Sequence, residues 1–348
     1  MRAVTSSRLS LVLPSSPDSP ADRSRFFQQV QACAGEAGAG LALLCKMLAR
    51  ADRKPQPVAD RQALVLYLLT GKVQAAPPVA ALRAIADNLH PTADEYWLCA
   101  DPVHLQPDLD HLLLFSGESF TPTPDQAEQL ASELNQLFAE DALEFIVGAP
   151  EHWYLRCPHA PDVSFTALAK VRGQNILPFM PAGKDAAKWR RYLNEIQMQM
   201  TASQVNQQRA GSGMAEINSV WCWGGGQLPQ QGSSQFQRVY TRQAFTEGLS
   251  RHLRVEVAAV PDSAAECRSA DKAGLIEFAD TPEKDDPQAM LRFLLWLEQA
   301  YLLPLWADLK QGQLDELVIY FAGKRFCLPR KALRRWWRRS RPLHELAG

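Results

Sequence analysis

The last third of the chain constrains the fold most, because short apolar runs alternate there with helical patterns. Val255–Val260 and Gly274–Phe278 read as strands and residues 287–311 as one long helix. Leu317–Phe321 and Arg325–Leu328 read as two further strands, and a basic helix is expected from Arg330. A helix between two strands is the usual crossover that lets them lie parallel, so this alternation predicts a partly parallel sheet. The start of the chain adds a buried strand, Leu9–Leu13, closed by the turn-rich segment Pro14–Pro20. Helical patterns follow at roughly 22–34, 38–51 and 59–71. Pro55, Pro57, Pro77 and Pro78 break this layer, since proline removes a backbone donor and clashes with the preceding turn.

Near residue 95 the texture changes. Tyr96–Ala100 and His111–Phe115 are strand-like and flank Asp101–Asp108, read as a proline-shaped turn. Thr123 and Pro124 offer an N-cap and a first-turn proline for a helix to about Ala139. Glu144–Val147 and Trp153–Arg156 read as strands, residues 184–202 as an amphipathic helix, and Ile217–Trp223 as a buried strand running into Gly224-Gly225-Gly226. The expectation is an α/β protein with a mixed sheet and helices on its faces. Residues 1–80 and 230–348 would form it, carrying an inserted α+β lobe at 81–229.

Composition narrows the function. With 46% hydrophobic and 22% charged residues in 348, disordered, collagen-like and coiled-coil classes are excluded. The net charge of −1 argues against a globally basic nucleic-acid binder. The charge is uneven, though: residues 324–341 hold nine basic and no acidic residues, which leaves −10 on the rest of the chain. The seven cysteines are scattered, odd in number and lack a CxxC, which fits a reducing cytosol. Leu9–Leu13 is too short for a signal-peptide core. Leu291–Trp306 is interrupted by Arg292, Glu298, Gln299 and Pro304, whereas a bilayer span needs about 20 apolar residues. A cytoplasmic protein with no membrane partner is expected. Leu333, Trp336 and Trp337 fall on one side at helical spacing and are expected to dock on the acidic body, with the arginines outside, so nucleic acid is not an expected partner.

Several groupings could carry chemistry. The strand–glycine junction Gly224, Gly225 and Gly226 could present amides to an anion, or could simply permit close packing. Asn206, Arg209, Asn218, Trp221 and Trp223 lie near it in sequence, and Arg209 offers a bidentate fork for phosphate or carboxylate. Asp101 and His104 could act as an acid/base pair or a metal half-site, although local backbone bonding at a turn is the preferred reading. His152, Cys157 and His159 are soft-metal ligand types without four-ligand zinc spacing. Asp280–Asp286 offers Asp280 as a metal ligand or, in the reading preferred here, the acids of a helix cap. No GxSxG, HExxH, kinase or catalytic-cysteine signature is present.

Cys99–Leu105, Asn194–Met198, Val205-Asn206 with Arg209, Asn218–Pro229 and the Arg/Trp-rich ending together resemble the RpfE-type regulatory protein family of bacteria, over about Leu9 to Leu343. Val205-Asn-x-x-Arg with Asn218-x-x-Trp-x-Trp-Gly is more distantly similar to the archaeal-type cofactor-independent phosphoglycerate mutases. That resemblance implies an alkaline-phosphatase-like core with an inserted domain, and two divalent metals held by Asp and His. No Asp-Gly follows Leu9–Leu13, Asp280 is followed by Thr, Pro, Glu and Lys284, and Ala322-Gly323 stands where Asp-His is implied. The expectation is therefore a non-catalytic regulatory or sensing protein with no cofactor. It would bind a small phosphorylated or acidic metabolite through Asn206, Arg209, Asn218 and Gly224–Gly226, and engage a regulatory protein partner. The alternative is a phosphomutase-like or phosphatase-like metalloenzyme with a divalent metal and atypical ligands drawn from Asp101, His104 and Asp280.

Overall fold

A computed structural model describes residues 7–14, 16–17, 19–36, 40–109, 111–267, 273–279 and 286–347. Its strands in chain order are β1 (Arg8–Val12), β2 (Asp52–Pro55), β3 (Tyr96–Asp108), β4 (His111–Phe115), β5 (Glu144–Ala149), β6 (His152–Cys157), β7 (Val163–Ser164), β8 (Ala182–Gly183), β9 (Ser219–Gln227), β10 (Arg238–Tyr240), β11 (Glu256–Ala258), β12 (Ala273–Glu277), β13 (Glu316–Phe321) and β14 (Lys324–Pro329). The chain divides into two units, Met1–Ala75 with Gly232–Gly348, and Ala76–Gln231.

The first unit is built on a seven-stranded sheet of order β11-β10-β12-β1-β13-β14-β2. β1 pairs in parallel with β12 on one side and β13 on the other, Leu9 facing both Gly274 and Leu317. A parallel strand covered on both faces needs a continuous apolar run rather than alternation, and Leu9, Leu11 and Val12 are buried with Ser10 between them. β14 and β2 continue the sheet antiparallel. The β13–β14 hairpin turns through Ala322 and Gly323, both at positive φ (53° and 72°), the geometry of a tight two-residue turn. Helices Pro20–Glu36, Ala42–Arg50, Pro287–Leu297 and Leu303–Gln311 supply Phe27, Leu44, Leu294 and Leu309 to a core shared with Leu11 and Phe321. The long helix expected at 287–311 contains a π-helical turn at Glu298–Leu302, where the buried Glu298 carboxylate accepts the Leu44 amide. Asp286 caps this helix through the Gln288 amide with Pro287 in its first turn, whereas Asp280 lies outside the described residues.

The second unit packs helices on a five-stranded antiparallel sheet in which β3 pairs with β4, β6 and β9. β3 is one strand of thirteen residues, so the turn expected at Asp101–Asp108 is not formed. Pro102 is tolerated because β6 pairs with β3 only as far as Cys99 and β4 pairs with it only from His104, leaving the proline in the gap between them. Leu98 and Ala100 face helices Pro124–Leu137 and Ala186–Ala202, meeting Leu130, Leu134, Trp189 and Ile196. The opposite face of β3 and β9 receives helix Val79–Ala86.

Gly224–Gly226 continue β9 rather than ending it, and their missing side chains explain them. A Cβ at Gly226 would stand 2.5 Å from Pro78 Cβ, and one at Gly224 (φ +63°) would stand 2.8 Å from Val79 Cβ. On the other side, a Cβ at Gly225 would meet Tyr96 Oη at 2.5 Å. The glycines let a helix and a tyrosine approach the strand closely.

The basic tail departs from expectation. Of the basic run only Arg330–Arg334 is helical, as a short 3-10 turn, and a separate helix, Leu343–Ala347, follows it. Arg335 then forks onto Asp52 of β2 at 2.7 and 2.8 Å, and Arg338 donates to the Ala51 carbonyl at 2.8 Å. Leu333 packs on the core, but Trp336 and Trp337 are 78% and 62% exposed. Two of the arginines dock and the tryptophans stay outside, because Asp52 and the strand-end carbonyls offer a guanidinium what an indole cannot use.

Because Pro78 is backbone-constrained and cannot retreat as a flexible side chain would, Gly226→Ala is expected to destabilise by about 1–3 kcal/mol. A chemical-denaturation midpoint lowered at unchanged slope is the measurement, and an unchanged midpoint would contradict the close-packing account.

Candidate functional site

Open α/β sheets form ligand crevices at the carboxyl ends of their parallel strands. In the first unit those ends bring together Leu13 after β1, Thr241 after β10 and Glu277 at the end of β12. Glu277 is 2% exposed, so its carboxylate must be bonded to remain there. Its Oε1 accepts Arg61 Nε at 3.0 Å and its Oε2 accepts the Thr241 hydroxyl at 2.9 Å. Arg61 opens helix Arg61–Thr70, whose N-cap Asp60 accepts the Ala63 amide at 2.8 Å. From there its guanidinium also donates to the carbonyls of Leu13 (3.3 Å) and Phe278. Arg23, on helix Pro20–Glu36, donates to the carbonyls of Pro17 (3.1 Å) and Ala322 (2.9 Å) beside the end of β13. Lys324, just past that turn, has its ammonium pushed below its ordinary pKa by burial and by the charges of Arg53 and Arg23. The carboxyl edge of this sheet is thus cationic, and its central carboxylate has both oxygens bonded.

The donor set of the described residues does not fit a two-metal centre. Pro14 follows Leu13, Ala322-Gly323 form the turn after β13, and a guanidinium stands at the end of β12. Among the described residues no three His, Cys, Asp or Glu side chains gather to hold an ion.

The second unit contains a buried polar network. Arg83 and Asp101, 6% and 4% exposed, form a bidentate pair at 3.0 and 2.6 Å. Arg83 also donates to Tyr154 Oη (3.1 Å) and the Trp153 carbonyl (3.1 Å), and lies over the rings of Tyr154 and Trp223. Trp223 Nε1 donates to Asp101 Oδ2 at 2.7 Å. Tyr154 donates onward to Asp87, whose carboxylate also meets His152 Nδ1 at 3.2 Å. Burial works against the Arg83 charge, but the Asp101 carboxylate outweighs it and holds the guanidinium above its ordinary pKa. Burial likewise raises Asp87, yet bonds from His152 and Tyr154 with the nearby charges leave it below the ordinary carboxylate value. Tyr154 is pushed upward, chiefly by burial.

Most residues singled out in the sequence hold this unit together. Asn206 donates to the Met200 and Ile217 carbonyls and accepts the Ile217 amide, tying a helix end to the entry of β9. Asn218 exchanges two bonds with the Leu105 backbone at 2.7 and 2.9 Å, extending the ladder by a side chain. Arg209 is buried, donates to the Ala215 carbonyl and holds Gln126 at 2.9 Å, and burial lowers its pKa. Gln126 is the capping-box partner of Thr123 at the head of helix Pro124–Leu137. Trp221 donates to the Thr166 carbonyl. Arg209 and the three glycines therefore do not converge on one anion: the first is engaged with Gln126 and the others pack against Pro78, Val79 and Tyr96.

Asp101 and His104 form no acid/base pair. Three residues apart on one strand, they point to opposite faces; His104 instead bonds the Glu216 carbonyl and stacks on Phe120. His152 and Cys157, an odd number apart on β6, separate for the same reason. Arg61, Arg83, Glu277 and Thr241 were missed in the sequence. A signal existed for two of them, since Glu277 ends the run Gly-Leu-Ile-Glu and Arg83 interrupts Val-Ala-Ala-Leu-Arg-Ala-Ile-Ala. A charge inside an apolar run must have a partner.

No protein-family model and no curated protein matches the chain. Several solved structures resemble it in fold, among them the two that follow. A cofactor-independent phosphoglycerate mutase from Thermoplasma acidophilum superposes with a TM-score of 0.52 at 15% identity, covering 99% of this chain and 95% of that one. The PH0037 protein from Pyrococcus horikoshii gives 0.53 at 12% identity, covering 90% of this chain and 81% of that one. The fold is thus the expected mixed α/β architecture, alkaline-phosphatase-like in the manner of the phosphoglycerate mutases. No helix among the described residues is long and apolar enough to cross a membrane.

Asp101→Asn is expected to cost about 3–5 kcal/mol, because it leaves Arg83 buried and uncompensated. An Arg83→Met/Asp101→Leu double variant should recover part of that loss in the same denaturation assay. Asp87 supplies a pH test. Its pKa is depressed in the folded state from about 3.9 in the unfolded chain, so its contribution is complete above that value and is lost as pH falls through the folded value. Asp87→Asn should therefore lower stability at neutral pH, and the gap to the parent protein should close as the medium is acidified. A gap that is constant with pH would exclude this role.

Proposed function

We propose that the chain is a non-catalytic regulatory or sensing protein that binds a small phosphorylated or acidic metabolite at the carboxyl edge of its parallel sheet. One observation carries the reading: Arg61 bonds the carbonyls at the ends of β1 and β12, and Arg23 bonds the turn after β13 with Lys324 nearby, its ammonium on the Leu346 carbonyl at 3.2 Å, at strand ends where the mutase resemblance implies metal-binding acids. Cations at that edge repel a divalent metal and attract an anion. Arg23 and Arg61 are held by backbone carbonyls, so their positions are fixed before a ligand arrives.

Two likenesses support the ligand class and the role. The Thermoplasma structure carries the name of an enzyme of phosphoglycerate, a small acid with one carboxylate and one phosphate group. The resemblance to RpfE-type proteins supplies the regulatory role, and with it a protein partner. The ligand site sits in the first unit in this reading, and Asn206, Arg209, Asn218, Trp221, Trp223 and Gly224–Gly226 serve as framework of the second.

Thermal denaturation with phosphoglycerate, inorganic phosphate and an uncharged sugar tests it. At a ligand concentration 100 times the dissociation constant, a molecule that binds only the folded state stabilises by about 2.7 kcal/mol. Phosphoglycerate should raise the melting temperature, and Arg23→Ala with Lys324→Ala should abolish the shift without the core damage expected of Arg61→Ala. If none of the anions shifts the parent protein, the site is misassigned. Turnover of phosphoglycerate that depends on added manganese and on Asp101, His104 or Asp280 would replace the sensing role with the metalloenzyme alternative.

A further inference from the structure

We propose that the carboxyl-terminal arginine–tryptophan segment, with the start of β2, is a binding site for single-stranded nucleic acid. Trp336 and Trp337 are 78% and 62% exposed and stand edge to face with ring centroids 6.1 Å apart. They are not loose. Arg335 between Leu333 and the indoles forks onto Asp52, Arg338 donates to the Ala51 carbonyl, and Arg50 donates to the Leu333 carbonyl at 2.8 Å. The chain beyond them is anchored by Leu343 and Leu346 in the core. The two indoles are therefore presented by a pinned backbone, and the neighbouring leucines that could have covered them are turned inward.

A cleft of about 670 Å³ opens beside them, lined by Arg53, Trp337, Arg338, Arg339, Arg341 and Leu346 among others. Its charge is unbalanced. Asp52 is the acidic residue of the lining, and it is engaged by Arg335 and Arg338, whose bonds hold its carboxyl below the ordinary pKa. Among the described residues Arg334, Arg339 and Arg341 have no acidic partner. A fixed pair of exposed π-faces beside a row of unneutralised guanidinium groups is the chemistry that stacks unpaired bases while neutralising their phosphates. In a duplex the bases are already stacked, so its Trp faces would be idle and only the charges would act. An anionic bilayer is held by the broad apolar face of an amphipathic helix, and here two indoles stand on a non-helical segment beside a concavity lined by charges. The observations favour a flexible single strand that can enter it. The cleft adjoins Lys324, whose ammonium donates to the Leu346 carbonyl, but the tryptophans and arginines that carry this reading are not residues of the metabolite site.

The test uses the full chain and labelled oligothymidylate or oligouridylate of about 12 nucleotides in roughly 50 mM salt. Anisotropy should report binding, accompanied by quenching of tryptophan fluorescence. Trp336→Ala/Trp337→Ala should weaken binding by about tenfold or more. Arg339→Glu/Arg341→Glu should weaken it and lower the slope of log affinity against log salt by at least about 1, since each phosphate contact contributes ~0.7 on a single strand. Both variants should keep the parent melting temperature, because the four side chains are exposed. The proposal is overturned if the parent protein binds neither oligonucleotide. It is also overturned if affinity for a duplex equals that for the single strand and survives loss of both tryptophans. Tryptophan-dependent binding to phosphatidylserine vesicles with no oligonucleotide binding would assign the surface to membranes instead.

Discussion

A charge buried in an apolar sheet must be matched by bonds that replace water, and both units are arranged around such a match. In the second unit Arg83 comes from the helix and Asp101 from the central strand, and their bidentate pair fixes where the helix lies on the sheet. Trp223 adds β9 and Tyr154 adds β6 to the same point. In the first unit Arg61 joins Glu277 and two strand-end carbonyls, so one guanidinium ties a helix to β1 and β12. Such pairs contribute little net stability compared with apolar residues of the same shape, but removing one partner strands the other. They act as registration devices: the helix has one seat in which the charge is satisfied.

The same logic accounts for the carboxyl edge. A sheet of this architecture can present acids to metals or cations to anions at its strand ends, and the fold permits either. Here Arg61 neutralises the buried Glu277 carboxylate, and Arg23 is drawn to the carbonyl of the β13–β14 turn. The likeness to the phosphoglycerate mutases is a likeness of architecture, at 15% identity, and the chemistry of the edge is this chain's own. The proposed role as an anion sensor rests on that chemistry.

The tail shows how a hydrophobic argument can fail against a geometric one. Burying two indoles is favourable by area alone. The competing demand came from Asp52 at the sheet edge, which accepts both arms of Arg335 and turns the backbone so that the next two side chains face out. Leu343, Leu346 and Ala347 then cover the core in their place.

The sequence by itself determined the element types and the mixed α/β class, because hydrophobic periodicity and proline placement are local properties. The central strand near Leu9, the capped helix at Thr123 and the helix–strand alternation after residue 250 were legible for that reason. It also showed that the glycine run and the Asn, Arg and Trp residues around it were unusual. Tertiary structure decided what they were for. Gly226 is glycine because Pro78, 148 residues earlier, lies against it. Arg209 serves a cap 83 residues away, and Asp101 answers an arginine that no spacing rule connects to it. Whether Asp101 and His104 could cooperate turned on one fact, that β3 runs straight through Pro102, and that depended on where two neighbouring strands stop pairing. Side-chain partnership between distant segments is a property of the packed chain, and no local pattern encodes it.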